Sequence, residues 1–307
     1  MFIPVLTQVI ILFILIFVGF ALAKIKMLND EIIKGLTDLA LTVVTACVIV
    51  KSFFREFNKS DLNDLLVSFL LGVIIHTVYI LLTLLLLRDK SENRKAVLHY
   101  AAVFSNCGFM ALPLQQALLG DNGVFLGSSF VAIFNAFVWS WGLRIMSGDK
   151  KSLNPIKIIT RPAILALITG FVVFILSIPV PKLISEPVGM FAALNTPIPM
   201  IIIGYHLASA NVLNGFTDLK CLFAILLRLV IFPALAIFGM RLCGIKGDML
   251  ISQAICCAAP VAANTTMFSS KFKRDTELSV NLVSLSTLLS FITMPVMITL
   301  AEKLAIL

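Results

Sequence analysis

Two stretches of the chain place helix-breaking residues beside a side-chain amide, and both lie inside long apolar runs. The first stretch, SNCGFMALPL, holds Asn106, Gly108 and Pro113, and the second, APVAANTT, holds Pro260 and Asn264. Proline removes a backbone hydrogen bond, and glycine loosens the backbone. In hydrocarbon, backbone groups freed in this way need protein, water or a ligand as partners, so a broken helix is expected to line a cavity. The amides and the positive ends of the half-helices suit a carboxylate.

The alternative interpretation is that Pro113 and Pro260 only kink their helices, as prolines often do in membrane proteins. Both prolines fall in matching segments of an internal repeat, and this coincidence favours two broken helices that cross at a binding site. The predicted substrate-binding residues are Asn106, Gly108, Pro113, Pro260, Ala262, Asn264 and Thr265.

Four ionisable residues at membrane depth are candidates for a charge or proton role, because such residues are costly in lipid. Lys51 either neutralises an anion in the cavity or extends to the nearby interface. Arg228, in the middle of AILLRLVIFP, has either a substrate-binding or a structural role. His206 either relays protons or packs through a hydrogen bond, and the same alternatives apply to His76. Asp38 is the acid expected nearest the interior of the helix bundle, where it would carry a coupling proton.

The motifs of other kinds of chemistry are missing from the sequence. It contains no zinc-ligand spacing, no phosphate-binding G-x-x-x-x-G-K-[ST] loop, and no nucleophile with its base or paired acids at membrane depth. We therefore expect no metal, no cofactor, no catalytic residue and no enzymatic activity. The six cysteines are interpreted as small apolar packing residues. A membrane ligand sensor that does not transport and a channel are the alternatives to a carrier.

The composition indicates an integral membrane protein. Of the 307 residues, 60% are hydrophobic and only 13% are charged, whereas soluble domains carry about 25% charged residues. The excess of basic residues would suggest nucleic acid in a soluble chain, but here it belongs to short loops between helices. Apolar runs predict ten transmembrane helices and no soluble domain. These spans cover 4–23, 32–50, 64–87, 96–119, 123–146, 161–180, 187–208, 219–240, 249–270 and 277–300.

The distribution of basic residues predicts the orientation of these spans. The loops after the odd-numbered spans hold 16 Lys and Arg residues, whereas the termini and the other loops hold 7. By the positive-inside rule, both termini lie outside the cytoplasmic membrane, and the loop between spans 5 and 6 is cytoplasmic.

An odd number of spans in each half means that the halves run in opposite directions through the membrane. An offset of 152 residues superposes FSNCGFMALP at 104–113 on CCAAPVAANT at 256–265. The predicted fold is therefore an all-α integral membrane protein of ten transmembrane helices in two inverted five-helix repeats, with broken helices 4 and 9. Residues 1–150 form the first repeat, and residues 151–307 form the second.

Residues 258–295, AAPVAANTTMFSSKFKRDTELSVNLVSLSTLLSFITMP, resemble the C-terminal signature of the auxin efflux carrier family. The segments 13–30, 105–114 and 199–208 are similar to the family's first, fourth and seventh helices. The resemblance implies a fold like that of bile acid/sodium symporters, in which helices 4 and 9 cross at the substrate site. Helices 3–5 and 8–10 would move against a scaffold of helices 1, 2, 6 and 7.

The resemblance also implies which partners the chain has besides the lipid bilayer that surrounds it. They are small organic anions, namely malate, malonate or similar carboxylates in bacterial relatives and auxin in the plant PIN-formed branch. Either a proton or sodium is the coupling ion to be considered, and a homodimer is a further expectation.

The chain departs from this family at three points. Thr265 stands where plant members have a second crossover proline, so the break in span 9 depends on Pro260 and the small residues after it. No proline lies near Ala46 in span 2, although span 7 retains Pro197 and Pro199. The loop between spans 5 and 6 is short, unlike that of many plant auxin carriers. These differences make auxin a poor expectation for the substrate.

Overall fold

The computed structural model describes residues 2–148, 160–209 and 215–306, and every regular element within these ranges is a helix. Most of the predicted loop between spans 5 and 6 lies outside the described residues. The helices are α1 (Phe2–Lys24), α2 (Asp30–Leu39), α3 (Thr45–Ser52), α4 (Lys59–Leu86), α5 (Glu92–Val103), α6 (Leu112–Phe137), α7 (Leu143–Ser147), α8 (Pro162–Ile175), α9 (Lys182–Ala193), α10 (Pro197–Ser209), α11 (Leu219–Leu226), α12 (Phe232–Leu242), α13 (Gly247–Ala258), α14 (Asn264–Lys271) and α15 (Thr276–Ile306).

Five-residue π-helical turns interrupt several of the helical segments in the described residues. The turns Ala40–Val44, Val138–Gly142 and Leu227–Ile231 join α2 to α3, α6 to α7 and α11 to α12, and Cys107–Ala111 leads into α6. Such turns are rare and are frequently found at functional sites.

Seven helical segments in the described part of the chain are long and apolar enough to cross a membrane. The longest, Cys107–Ser147, has 41 residues and would measure about 60 Å as one helix, twice the thickness of the hydrocarbon layer. It is divided at Gly120, whose φ of 63° and ψ of −153° are not helical. The sequence places the boundary between spans 4 and 5 at the same point. Pro162–Ile175 and Gly247–Ala258 are shorter apolar helices.

One end of the bundle is marked by contacts between the ends of distant helices. Lys24 Nζ donates to the carbonyl oxygen of Ala208 over 2.9 Å. Arg94, in the first turn of α5, pairs with Asp218 before α11 and, at 3.3 Å, with Asp275 before α15. Two successive spans, α2–α3 and α4, carry the chain away from Lys24 and back to Arg94. The ends of α1 and α10 and the starts of α5, α11 and α15 therefore lie at one end of the bundle.

The opposite helix ends meet in a second set of contacts. Arg55 Nη1 donates to Asn122 Oδ1 over 3.2 Å, and Asn122 Nδ2 donates to Asp248 Oδ2 over 2.9 Å. The backbone N–H of Phe57 donates to Ser177 Oγ over 3.1 Å. The residues that follow α3 and the first turn of α13 thus lie beside the turn at Gly120, and the residues after α3 also contact those after α8.

The surface of α4 is apolar where it is exposed and polar where it is buried. Leu66, Leu70 and Leu85 are each more than half exposed, whereas Ser68 and His76 are buried. This distribution is the reverse of that in a soluble helix, and it fits a helix whose outer face meets lipid. The all-helical membrane architecture predicted from composition is therefore confirmed.

Helices α1 and α10 approach each other closely through two glycines. A Cβ atom added to Gly19 would collide with the backbone of Ile201, and one added to Gly204 would collide with the backbone of Ile16. Small residues permit this backbone contact between membrane helices, where packing has to replace the hydrophobic effect.

Candidate functional site at the crossing of two broken helices

Both predicted breaks occur, and the two broken segments cross each other. Helix α5 ends at Val103, and the extended Phe104 follows with φ −95° and ψ 115°. Helix α13 ends at Ala258, and the extended Ala259 follows with φ −61° and ψ 146°. Helical geometry resumes at Cys107 in the first case and at Asn264 in the second. Each break therefore separates two half-helices.

The two breaks run antiparallel and are joined through their backbones. Ser105 and Val261 form an isolated antiparallel bridge. The N–H of Asn106 donates to the carbonyl oxygen of Pro260 over 2.7 Å, and the N–H of Ala262 donates to that of Phe104 over 3.0 Å. These bonds satisfy groups that a broken helix leaves without a partner, as burial in an apolar interior demands.

The proline of the second half accounts for its break directly. Pro260 has no N–H, and the ring of a proline excludes a continuous helix at the carbonyl four residues earlier. The residue before a proline favours extended geometry, as Ala259 shows. In the first half, Pro113 lies beyond the break, as the second residue of α6. Its missing N–H removes the bond to Phe109, and this loss accompanies the π-helical turn before α6.

The two asparagines lie on the crossing in slightly different environments. Asn106 is 6% exposed. Asn264 is half-buried, and its Oδ1 is buried with no hydrogen-bond partner among the described residues. Beside Gly108, which is half-buried, no heavy atom lies within 4 Å of the place where a Cβ would stand. The crossing therefore offers an amide oxygen without a partner and open space next to a bare Cα.

Ala262 and Thr265 are buried and form a turn into α14. Both the N–H and the Oγ1 of Thr265 donate to the carbonyl oxygen of Ala262, over 3.0 and 2.6 Å. Ser286 of α15 supports the same segment, because its Oγ accepts from the N–H of Val261 over 3.1 Å. A proline at position 265 would lack this N–H. The sequence shows Ser286 as a polar residue within the last apolar run, but its partner could not be identified from spacing.

Arg228 lies at the crossing and contacts both broken helices. It is 1% exposed. Its guanidinium donates to the carbonyl oxygens of Val103 over 2.9 Å, of Ala102 over 3.3 Å and of Cys257. These contacts fit the structural alternative for this residue, although its Nε is buried with no hydrogen-bond partner among the described residues. His76 is also a packing residue, with its Nδ1 2.8 Å from the carbonyl oxygen of Gly72.

A cavity of about 190 Å³ adjoins the second half-helix of the first break. Lys51 and Pro113 line it together with Gln116 and Asn195. Lys51 Nζ is 3.8 Å from Asp121 Oδ1. Asn195 is 3% exposed, and its Oδ1 is buried without a hydrogen-bond partner in the described part of the chain. The sequence analysis missed Asn195, although a polar residue beside Pro197 in an apolar run was a usable signal.

A smaller cavity of about 100 Å³ adjoins the second half-helix of the other break. It is lined by His206 of α10, Ala263 and Thr266 at the start of α14, and Ser284 and Thr287 of α15, with apolar residues between them. His206 therefore lines a cavity beside the second break, although its side chain is exposed on the surface of the chain. Its proposed role in proton transfer stays a prediction.

Asp38 is exposed, so the expectation that it lies near the interior of the bundle is wrong. The buried face of this segment contains Ile33 and Ala40. At about 100° per residue, Asp38 lies about 140° around the helix from Ile33. Its apolar neighbours in sequence do not reveal this, because the face that packs depends on the neighbouring helices.

The described residues contain no group of three or more His, Cys, Asp or Glu side chains that could hold a metal ion. A search among curated proteins found no significant match. A family model described as membrane transport protein matches residues 4–298. The match covers both breaks and almost all of the 307 residues. The chain belongs to this family of membrane transport proteins, the auxin efflux carrier family that its sequence resembles.

Proposed function

We propose that the protein is a secondary carrier that moves small organic anions, such as malate, malonate or monocarboxylates, across the cytoplasmic membrane. The crossing of the two broken helices carries this proposal. Ordered but broken backbone inside an apolar bundle is expected where a transporter binds its substrate. Membership of a membrane transport family supports the same class of function.

The crossing has the chemistry to bind a carboxylate. The side chains of Asn106 and Asn264 supply amide N–H donors, and the half-helices that begin at Cys107 and Asn264 bring partial positive charge to the same region. Lys51 supplies a full positive charge at the neighbouring cavity. The proposed binding set is Asn106, Gly108, Pro113, Pro260, Ala262, Asn264 and Thr265.

The helix arrangement supports ten crossings in two inverted repeats. Contacts at the two ends of the bundle alternate along the chain, as Lys24 with Ala208 at one end and Arg55 with Asn122 at the other illustrate. The two breaks, 154 residues apart at Asn106 and Pro260, meet in an antiparallel sense. An antiparallel crossing is what a two-fold axis in the membrane plane would generate. With both termini outside, the end that contains Arg94 and Asp275 would be cytoplasmic.

Alternating access would follow from movement of one group of helices against another. Each cavity lies between the proposed scaffold and the proposed transport unit: the larger between α3, α9 and α6, and the smaller between α10, α14 and α15. The tight glycine contact between α1 and α10 gives the scaffold a rigid element. Substrate bound at the crossing would be reached from one cavity in each state.

The proposal is tested by uptake of labelled malate, malonate, lactate and indole-acetate into proteoliposomes, with and without a pH or sodium gradient. We expect saturable, competable uptake of the small carboxylates. Asn106→Ala and Asn264→Ala should raise KM about 10- to 100-fold, the equivalent of one hydrogen bond to a charged group. Stimulation by a proton gradient or by a sodium gradient would distinguish the two coupling ions.

Asn135→Ala is the matched control for these variants. Asn135 lies in α6, and its amide donates to the carbonyl oxygen of Val131 over 2.8 Å within the same helix. Its loss should leave KM near the wild-type value. If Asn106→Ala and Asn264→Ala both fold normally and show unchanged uptake, the substrate does not bind at the crossing. Saturable binding of a carboxylate without any uptake would favour the membrane sensor instead.

A further inference from the structure

Arg228 is a buried charged residue that does not belong to the proposed substrate-binding set. It lies in the π-helical turn Leu227–Ile231, and 1% of it is exposed. In the part of the chain that the structure describes, no acidic side chain forms an ion pair with it. A buried guanidinium is costly unless its donors are satisfied. Its partners are therefore the key to its role.

The partners of Arg228 are carbonyl groups that the crossing itself has freed. In a continuous helix, the carbonyl oxygen of Ala102 would accept from the N–H of Asn106, but that N–H donates to Pro260 instead. Likewise, the carbonyl oxygen of Cys257 would accept from the N–H of Val261, which donates to Ser286 instead. Two backbone acceptors in an apolar interior are thus left without their helical donors.

One guanidinium replaces both missing donors. Nη1 donates to the carbonyl oxygens of Ala102 and Val103, over 3.3 and 2.9 Å, and Nη2 donates to that of Cys257. The positive charge also lies at the negative ends of two helix dipoles, α5 and α13. The planar fork of arginine reaches acceptors on both sides at once, whereas the ammonium group of lysine is a single point.

A second contact fixes the guanidinium in place. Arg228 Cζ lies 5.2 Å from the centre of the Tyr79 ring. The Tyr79 hydroxyl donates to the backbone carbonyl oxygen of Phe232 over 2.8 Å. The rings of Tyr79 and Phe232 stack, with their centres 4.6 Å apart. Tyr79 belongs to α4, whereas Arg228 lies in the turn between α11 and α12. The guanidinium is therefore held against a neighbouring helix.

We propose that Arg228 is a positioning residue that clamps the ends of the two half-helices, so that Asn106 and Asn264 keep a fixed separation while the substrate is bound and moved. This inference rests on the proposed function of the crossing. It assigns Arg228 no contact with the substrate. Loss of the clamp loosens the backbone crossing and weakens binding through the two asparagines.

The test combines transport kinetics with amide hydrogen exchange. In Arg228→Lys, a charge is kept but the two-sided fork is lost. We expect KM for labelled malonate to rise about tenfold with a smaller change in Vmax, and the amides of Asn106 and Ala262 to exchange about tenfold faster or more. Arg241→Lys is the matched control, because Arg241 Nε donates to the carbonyl oxygen of Leu304, away from the crossing. It should change neither quantity.

Unchanged KM and unchanged exchange at Asn106 and Ala262 in Arg228→Lys would overturn the clamp. If Arg228→Lys does not fold, Tyr79→Leu serves as the second variant, because it removes the ring beneath the guanidinium. It should accelerate exchange at the same two amides, and wild-type exchange there would equally overturn the proposal. If the wild-type protein takes up no carboxylate, the proposed function fails, and the exchange measurements still decide whether the clamp exists.

Discussion

The backbone N–H of Asn106 and the carbonyl oxygen of Pro260, 2.7 Å apart, join two segments that lie 154 residues apart in sequence. Each group is free because its own helix is broken, and each satisfies the other. Neither broken helix is therefore a stable element alone in hydrocarbon, where an unpaired backbone group costs several kcal/mol. The proposed binding region therefore forms only when both halves of the chain are assembled.

Gly108→Leu should block the binding region without unfolding the protein. A Cβ added to Gly108 would meet no neighbouring segment within 4 Å, so a side chain can begin there without a collision and would extend into the volume proposed for the substrate. We expect carboxylate uptake to fall at least about tenfold in Gly108→Leu and by less in Gly108→Ala. The free energy of unfolding should change by under about 1 kcal/mol. Proteoliposome uptake and thermal unfolding in detergent measure the two quantities.

Gly239→Leu is the control for this prediction. Gly239 is an exposed residue of α12 that lies outside the proposed binding set, and a Cβ added there would meet no neighbouring segment within 4 Å. It should leave uptake unchanged. Normal uptake by Gly108→Leu would mean that the substrate passes elsewhere.

The positions of the breaks could be predicted from the sequence only in part. Pro260 acts locally, because a residue without an N–H interrupts its own helix. The break in the first half is different: α5 ends before Asn106, upstream of both Gly108 and Pro113. Its place is set by a partner backbone from the other half, and no local pattern contains that information.

The roles of polar side chains were harder to predict than their presence. Arg228 was recognisable as a buried charge, but its carbonyl partners come from α5 and α13. Asp38 looked internal by sequence, whereas helix packing turns it outward. Asn195 was overlooked because its cavity is formed by α3, α6 and α9 together. Composition and hydropathy fix the class of fold, and side-chain partners require the tertiary arrangement.

Gly19→Ala and Gly204→Ala should each destabilise the protein. A methyl group at either position would collide with backbone of the facing helix, which cannot move aside as a flexible side chain does. Overpacking of this kind typically costs about 1–3 kcal/mol. Thermal unfolding in detergent measures the change. Gly239→Ala, in open space within α12, should be neutral or slightly stabilising, and equal stability of all three variants would contradict the close contact.

Lys51 and Asp121 should affect anion affinity in opposite directions. Their charged atoms are 3.8 Å apart, and their side chains are 40% and 53% exposed, so the pair contributes little to stability after solvent screening. Lys51→Met should raise KM for a carboxylate several-fold by removing the positive charge from the larger cavity. Asp121→Asn should lower KM or leave it unchanged, because it removes a competing anion.

Salt provides the control for this pair of variants. Screening weakens interactions of exposed charges, so high ionic strength should reduce the difference in KM between Lys51→Met and the wild type. A rise in KM of equal size in both variants would show that the ion pair, rather than the charge of Lys51, matters.

The pairing of Asp89 with Lys220 should stabilise the protein at all but strongly acidic pH. Lys220 Nζ donates to Asp89 Oδ2 over 2.9 Å, and this hydrogen bond holds the pKa of the Asp89 carboxyl below its ordinary value. A lowered pKa gives a contribution to the free energy of unfolding that is complete above the unfolded pKa of about 3.9 and is lost as the pH falls through the folded pKa.

Because Lys220 is half exposed, this contribution should be under about 1 kcal/mol. Lys220→Met should therefore lower the unfolding temperature slightly between about pH 5 and 8, the range where native proteins are most stable. Lys90→Met, at an exposed position next to Asp89 in the sequence, should not. At strongly acidic pH, below the lowered pKa of the Asp89 carboxyl, Asp89 is protonated in both proteins and the difference between Lys220→Met and the wild type should disappear. A difference that stays unchanged there would contradict this origin.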